Sequence, residues 1–445
     1  MKVLFTNPPW WGKCTEQILP GNKKRDLWEK GVRAGSRWPH LNLVQKTSPD
    51  RYAFGDFFPY PFFMGYAASY LDQDKNINVT FRDSIALCES YETYFKFIQE
   101  SKFQYIFMES AESSLEEDKK LIFKINKLQP HAKIILTGPV GNPDNLINDL
   151  PVHAILKGEY EKSAMDVVRN DLSGIIDYNF LTLEEMNKAP YPYNNKTYAY
   201  RYWDGHPVDY FPPQAQVLSS RGCPYKCIFC VWPAVMTGED PTGDKYRQVR
   251  QYSGDYMQGL LEEWVGKYNY NSLYFDDDTF NLGDKHTIEM CEVMRRINIP
   301  WSAMCRADTI KKETWKIMKE SGCQGVKIGF ESGNQYVVDE IVNKKLNLEY
   351  AREIVEYISS IKMDIHGTFT YGLPGETREQ MQDTKNYIKT LKLTSYQESG
   401  TAEIEGTPLA NLKKGKNSKK YSGAEKDSKW EKITDGAQKY RKMDL

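Results

Sequence analysis

Arg221-Gly222-Cys223-Pro224-Tyr225-Lys226-Cys227-Ile228-Phe229-Cys230 is a C-x3-C-x2-C run with an aromatic residue just before its last cysteine. Three thiolates on so short a loop suit a soft metal centre, and a 4Fe–4S cluster can bind three of its four irons to them. The fourth iron then has no protein ligand. It can chelate a small molecule through an amino and a carboxylate group. A structural zinc loop is the competing reading. Zinc would want four ligands in paired Cys/His knuckles, and the sequence has no second C-x2-C pair and no histidine close to the run. Cys14, Cys88, Cys291, Cys305 and Cys323 are scattered and read as small buried apolar residues.

Short apolar runs alternate with amphipathic stretches downstream of the cysteines. Val217-Leu218-Ser219 reads as a strand leading straight into the run. Further strands are expected at Leu273-Tyr274-Phe275, Ser302-Ala303-Met304, Val326-Lys327-Ile328-Gly329, Ile365–Phe369 and Tyr396-Gln397-Glu398. Helices fall between them, for example Leu348–Ile361 and Arg378–Leu391. Six strand–helix units over 215–410 imply an open, partial (β/α)6 barrel. Beyond it, 411–445 is Lys-, Ser- and Gly-rich and is expected to be a tail, either disordered or with a short helix around Trp430–Arg441.

Upstream, 1–185 shows a similar α/β alternation. Strands are expected at Val3-Leu4-Phe5, Val79-Thr80-Phe81, Tyr105–Met108, Ile134-Ile135-Leu136 and His153–Leu156. Helices are expected at Phe62–Leu71 and Tyr91–Glu100, with another opened by a capping box at Ser114-Leu115-Glu116-Glu117. This pattern argues for a doubly wound parallel sheet of Rossmann-like form, which binds ligands at the carboxyl ends of its strands. Residues from about 12 to 60 lack clear periodicity and read as a long insertion, with Trp28 and Trp38 in it and Trp10 and Trp11 just before it. Residues 186–214, rich in Pro, Tyr and Asn, read as a linker.

At 445 residues, two or three domains are expected. The 59 basic and 60 acidic residues give no electrostatic case for nucleic acid. No apolar run approaches a membrane span and no signal peptide is evident, so a cytoplasmic protein is expected; a monomer is expected as well, although the sequence does not fix the oligomeric state.

In the second domain, polar clusters follow the expected strands. They are Asp276-Asp277-Asp278-Thr279-Phe280, Arg306 with Asp308, Gly329-Phe330-Glu331-Ser332-Gly333, and Gly372-Leu373-Pro374-Gly375-Glu376. Barrel active sites form at that end of the strands. Alone, the acid triplet is a magnesium site or a solvated turn, and Gly-Leu-Pro-Gly a tight turn. In this order after C-x3-C-x2-C, they resemble the radical S-adenosylmethionine barrel. The resemblance implies Cys223, Cys227 and Cys230 as cluster ligands, and S-adenosylmethionine held by Phe229, Asp277, Arg306, Gly329, Glu331, Ser332 and Gly372. Glu331 and Ser332 would take its amino group or ribose hydroxyls, and Arg306 its carboxylate. An internal ion pair is the alternative for Arg306 and Glu331, and a solvated helix end for Lys344-Lys345.

The first domain resembles the cobalamin-binding domain that precedes the barrel in one large subgroup. The likeness rests on Asn7-Pro8-Pro9, Pro61–Ala68, the Ser110–Ser114 loop, Gly138-Pro139 and Gly158-Glu159-Tyr160-Glu161. It implies cobalamin contacts at Pro9, Ser110, Ser113, Ser114, Gly138, Gly158 and Glu159. Classical cobalamin domains carry Asp-x-His-x-x-Gly, where this chain reads Asp83-Ser84-Ile85-Ala86-Leu87-Cys88 without the His, so the lower cobalt position is expected to be open or filled by another, unassigned group. The combined resemblance implies a class B methylase. A 5′-deoxyadenosyl radical would activate an unactivated carbon of a small-molecule, lipid, sugar or peptide substrate, and methylcobalamin would supply the methyl group. The electron would come from a donor such as flavodoxin or ferredoxin. A non-methylating cyclase or rearrangement enzyme with the same cofactors, and a non-catalytic cobalamin or redox sensor, are the rivals.

Overall fold

The computed structural model describes residues 1–9, 11–19, 23–30, 59–87, 89–111, 114–138, 143–202, 213–230, 248–401, 407–410 and 439–442; side chains are described in all but 11–19, 23–30 and 439–442. Two compact units emerge, one made chiefly of Met1–Gly205 and the other of the residues after it.

The first unit opens with β1 (Lys2–Asn7), a hairpin of β2 (Trp11–Leu19) and β3 (Lys23–Lys30), and α1 (Phe62–Asp72). It continues through β4 (Asn78–Asp83), α2 (Tyr91–Glu100), β5 (Tyr105–Glu109), α3 (Leu115–Leu128) and β6 (Lys133–Thr137). It closes with α4 (Pro143–Asp149), β7 (Ala154–Leu156), α5 (Glu161–Asn170), β8 (Gly174–Ile176) and two helical turns, α6 (Leu183–Met186) and α7 (Lys196–Ala199). The spatial order β4-β1-β5-β6-β7-β8 is parallel throughout and reverses between β1 and β5. Period-two alternation sends Leu4, Ile106, Met108, Ile134 and Leu136 against Tyr94 and Ile98 of α2 and Ile122 and Ile125 of α3. Each such buried side chain contributes about 1.5–3 kcal/mol. On the other face Phe5 stacks on Phe107, with ring centroids 4.6 Å apart.

Three expectations need correction here. The start of the 12–60 insertion is a β-hairpin, which its charged, non-alternating sequence concealed; 31–58, with Trp38, lie outside the described residues. The 186–214 segment, as far as Tyr202, is no free linker. Tyr193 stacks on Phe81 at 4.6 Å, and its amide donates to Gly65 O at 2.9 Å. Asp83 N donates to Tyr198 Oη at 3.1 Å, and Tyr202 Oη donates to Asp83 Oδ2 at 3.0 Å. Tyrosines combine apolar area with a hydroxyl that satisfies the buried carboxylate. The capping box at Ser114 is also not formed. Ser110 Oγ and Ser114 Oγ both donate to the buried Asp118 Oδ2, at 2.6 and 2.7 Å, and Glu117 pairs with Lys120 at 2.7 Å. A charge-assisted bond to a buried carboxylate outweighs a neutral cap.

The second unit starts with β9 (Gln214–Val217) and a short ladder of β10 (Ser220–Arg221) with β11 (Arg250–Gln251). Then follow α8 (Gly254–Tyr268), β12 (Ser272–Phe275), α9 (Asp284–Ile297), β13 (Trp301–Cys305), α10 (Lys312–Glu320) and β14 (Cys323–Glu331). After a π-helical turn at Val337–Ile341 come α11 (Leu348–Ser360), β15 (Asp364–Tyr371), α12 (Arg378–Thr390), β16 (Ser395–Gly400) and β17 (Lys439–Lys442). Strands β9, β12, β13, β14, β15 and β16 are parallel and adjacent in sequence order. That order, unlike the reversing one upstream, lets every right-handed crossover place its helix on the same face. The tail supplies an antiparallel edge strand at 439–442, where a short helix or disorder was expected; 411–438 lie outside the described residues.

Candidate active site

The cysteine loop is anchored on both sides. Asp277, fully buried just beyond β12, accepts from Ser219 Oγ at 2.8 Å, Ser220 Oγ at 2.6 Å and the Ser219 amide at 3.1 Å. Burial pushes its carboxyl up to about 6, against the pull of these hydrogen bonds. Asp277 therefore fixes the strand that delivers the loop. Gly222 makes the turn at φ +94°, and a Cβ there would lie 2.5 Å from the backbone oxygen of Gln248. Only glycine adopts this bend without strain. Gly222→Ala is expected to cost about 2–3 kcal/mol and to lower the iron bound per chain on reconstitution, read by iron analysis beside a melting curve.

None of the three cysteines forms a disulfide. Cys223 is buried, with Sγ 3.7 Å from Thr279 Oγ1. Burial, and then the charge of Asp278, push its thiol up to about 11, so a cation is needed to hold it as thiolate. Cys230 N donates to Cys227 O at 3.1 Å, and Ile228 N to Val342 O at 3.0 Å. Cys227 and Phe229 pack on an apolar base of Val337, Val342 and Leu373. Among the described residues, no three His, Cys, Asp or Glu side chains converge as a single-ion site requires. The thiolates of a four-iron cube bind separate irons and need no such convergence, so the donor set fits a cluster.

Around the loop lie two ion pairs. Arg306, only 4% exposed, donates from Nε and Nη2 to Asp308 at 2.9 and 2.8 Å and from Nη2 to Lys344 O at 3.2 Å. Its guanidinium lies 3.6 Å above the Tyr225 ring. Glu331 ends β14 at a register shift with φ +67°. It binds Lys344 Nζ at 2.9 Å and accepts from Thr370 Oγ1 at 3.2 Å. Gly329 makes room for this pair, since a Cβ would lie 2.5 Å from Glu331 Oε1 and 3.0 Å from Lys344 Nζ. Lys344 is therefore buried rather than at a solvated helix end; Lys345 is the exposed one. Ser332 Oγ lies 2.9 Å from Thr384 Oγ1. Gly372, at φ +74°, and Leu373 donate their amides to Glu376 Oε2 at 2.9 and 3.1 Å. Burial raises Glu376 to about 7.

All the S-adenosylmethionine residues expected from sequence thus lie on the cysteine loop or at the carboxyl ends of β12 to β15. Phe229, Gly329, Glu331, Ser332 and Gly372 flank the loop or the Glu331 pair. Asp277 and Arg306 are engaged within the protein. Lys344 and Glu376 had not been assigned a contact. Alternation of buried Val342, Lys344, Leu346 and Leu348 with less buried Asn343 and exposed Lys345 and Asn347 was the signal available for Lys344.

Residues 217–388 match the family described as Radical SAM superfamily. The chain carries a radical SAM domain. With this domain come a 4Fe–4S cluster and S-adenosylmethionine, and hence enzymatic activity. Over 321 residues the chain is 25% identical to an uncharacterized methyltransferase of Pyrococcus horikoshii, covering 67% of each. It is 27% identical over 276 residues to cytidylyl-2-hydroxyethylphosphonate methyltransferase of Streptomyces wedmorensis, covering 59% of this chain and 48% of that one. The chain thus spans about half the length of this second relative. The structure of the radical S-adenosylmethionine methyltransferase TsrM from Kitasatospora setae, with cobalamin and a [4Fe-4S] cluster bound, matches with a TM-score of 0.61 at 15% identity. That likeness of fold covers 92% of this chain and 76% of TsrM. Among the described residues no helix is long and apolar enough to cross a membrane.

In the first unit, Pro9 follows β1, Ser110 follows β5, Ser114 precedes α3, and Gly138, at φ +95°, follows β6. Gly158, at φ +71°, and buried Glu159 follow β7; Ser113 lies outside the described residues. Glu109 ends β5 beside the order reversal and takes the Tyr160 hydroxyl. Burial raises Glu109 to about 7 from an ordinary 4.5, against the Tyr160 bond, with Asp83 adding to the rise. A carboxyl raised on folding favours the fold most below 4.5, and this advantage is lost as pH climbs through 7. Glu109→Gln is therefore expected to raise local stability at pH 8 by about 1–2 kcal/mol and to change little at pH 5. Hydrogen exchange of the β5 amides at both pH values checks this.

Proposed function

We propose that this protein is a cobalamin-dependent radical S-adenosylmethionine methylase acting on an unactivated carbon of a small molecule. The reading is carried by the three-cysteine loop seated beside the buried Arg306 and Glu331–Lys344 pairs within the radical SAM domain. When bound, the cluster with S-adenosylmethionine supplies a carbon-centred radical, and cobalamin supplies the methyl group. The chain's own residues hold and exclude. Cys223, Cys227 and Cys230 bind the cluster. Glu331 accepts from the amino group of S-adenosylmethionine, and Gly329 and Gly372 let backbone approach it. Arg306, closed on Asp308, braces Tyr225 and the 344 carbonyl.

For cobalamin, support comes from the Rossmann-like strand order of the first unit and from the small or polar residues Pro9, Ser110, Ser114, Gly138, Gly158 and Glu159 at its strand ends. Among the described residues, Asn7 Oδ1, buried at the order reversal, has no hydrogen-bond partner. A corrin, rich in amide donors, fits such an acceptor. An external one-electron donor completes the scheme.

The test is turnover of S-adenosylmethionine by anaerobically reconstituted protein under strong reductant, with and without cobalamin. Cobalamin-dependent S-adenosylhomocysteine together with 5′-deoxyadenosine is expected. 5′-Deoxyadenosine without S-adenosylhomocysteine would replace the methylase by a rearrangement enzyme.

A further inference from the structure

Lys344 is an expensive residue where it stands. The residue is only 7% exposed, and burying an ammonium costs several kcal/mol even after relaxation. Its neighbours in the same alternation, Val342 and Leu346, are fully buried and apolar, so an apolar side chain at 344 would suit a purely structural position better. The backbone adds to the cost. Asn343 and Lys345, on either side, take φ of +58° and +54°, and Glu331, its partner, takes +67°. Each non-glycine residue held there costs roughly 1 kcal/mol, and such strain clusters at functional sites.

This strained segment lies directly on the cysteine loop. Ile228 N donates to Val342 O at 3.0 Å, and Asn343 Nδ2 donates to Lys226 O at 3.4 Å. Residues 342–344 therefore run beside 226–228. Cys227 packs on Val342, two residues before Lys344 in this segment, and the Lys344 ammonium is held there by Glu331 Oε1 at 2.9 Å. Arg306 is the other nearby cation. Its fork is closed on Asp308 by two bonds, whereas a single bond of 2.9 Å joins Lys344 to Glu331.

We propose that Lys344 is the cation that tunes the cluster's reduction, offsetting negative charge at Cys227, while Glu331 sets how much of that charge reaches the loop. This rests on the cysteine loop holding a 4Fe–4S cluster. One electron from an external donor adds one negative charge to the cluster. A fixed cation at Cys227 favours the reduced form, and a carboxylate beside that cation opposes it. Lys344 acts through the cluster and is a positioning residue.

The test is a spectroscopic redox titration of anaerobically reconstituted protein without S-adenosylmethionine, on wild type, Lys344→Met, Lys344→Arg and Glu331→Gln. Iron and sulfide are counted in each. Lys344→Met is expected to shift the reduction equilibrium about tenfold toward the oxidised form, about 59 mV for one electron. Lys344→Arg should stay close to wild type, and Glu331→Gln should shift the opposite way. Shifts of the same sign in Lys344→Met and Glu331→Gln, or none in either with the cluster retained, would overturn the proposal. If Lys344→Met loses its cluster, Glu331→Gln alone decides: easier reduction supports the proposal and an unchanged potential refutes it. Failure of the wild type to assemble a cluster would strike the underlying reading instead.

Discussion

Replacing Cys223, Cys227 and Cys230 together by alanine is expected to reduce bound iron from about four atoms per chain to near zero. Formation of 5′-deoxyadenosine should fall at least about 10³-fold, because the cofactor carries the hard chemistry. The fold should survive. The loop is anchored through Asp277, Gly222 and the Val342 and Leu409 backbone bonds, none of which uses a thiol. Circular dichroism alongside iron analysis checks both halves. Collapse of the unit without its thiols would mean that the cysteines serve the core rather than a metal.

Arg306→Met is expected to lower the unfolding free energy of the second unit by about 3 kcal/mol, because it strips a buried ion pair of one partner and leaves Asp308 uncompensated. The same change removes the stacking on Tyr225 and the bond to Lys344 O. Arg306→Lys should recover only part of the loss, since an ammonium cannot reproduce the bidentate fork. Denaturant unfolding of the three proteins measures this. S-Adenosylmethionine affinity should change less than threefold in Arg306→Lys, because the fork is engaged by Asp308 rather than held open for a ligand. A hundredfold loss of affinity with unchanged stability would restore the role that sequence reading gave Arg306, direct pairing with the ligand carboxylate.

The cysteine loop was legible because metal chelation by a single loop demands close spacing, and spacing is what a sequence records. The polar strand ends were legible for a related reason. A turn that follows an apolar run needs glycine or a short polar residue, so Gly329, Gly372 and Asp277 stood out. Which way each side chain would turn was not legible. In Asp276-Asp277-Asp278 the triplet looks uniform, yet Asp277 is fully buried and anchors the loop, while Asp278 acts on Cys223 through its charge. Tyr193, Tyr198 and Tyr202 sit in a stretch whose composition says loop. Their packing on Phe81 and Asp83 is a tertiary fact with no local signature. The hairpin β2–β3 and the edge strand at 439–442 are charged sequences paired through backbone, which leaves little hydrophobic pattern to read. Lys344 was misjudged because a lysine pair usually marks solvent, and only the buried, paired Glu331 makes one of the two an internal cation.

The most direct test of the central claim is electron paramagnetic resonance of the anaerobically reconstituted, dithionite-reduced protein, recorded before and after adding S-adenosylmethionine. A 4Fe–4S signal whose g values shift on addition is the expected result, since the iron without a protein ligand is open to the amino and carboxylate groups of that molecule. A cluster signal that S-adenosylmethionine leaves unchanged, or a colourless protein holding zinc, would contradict the account.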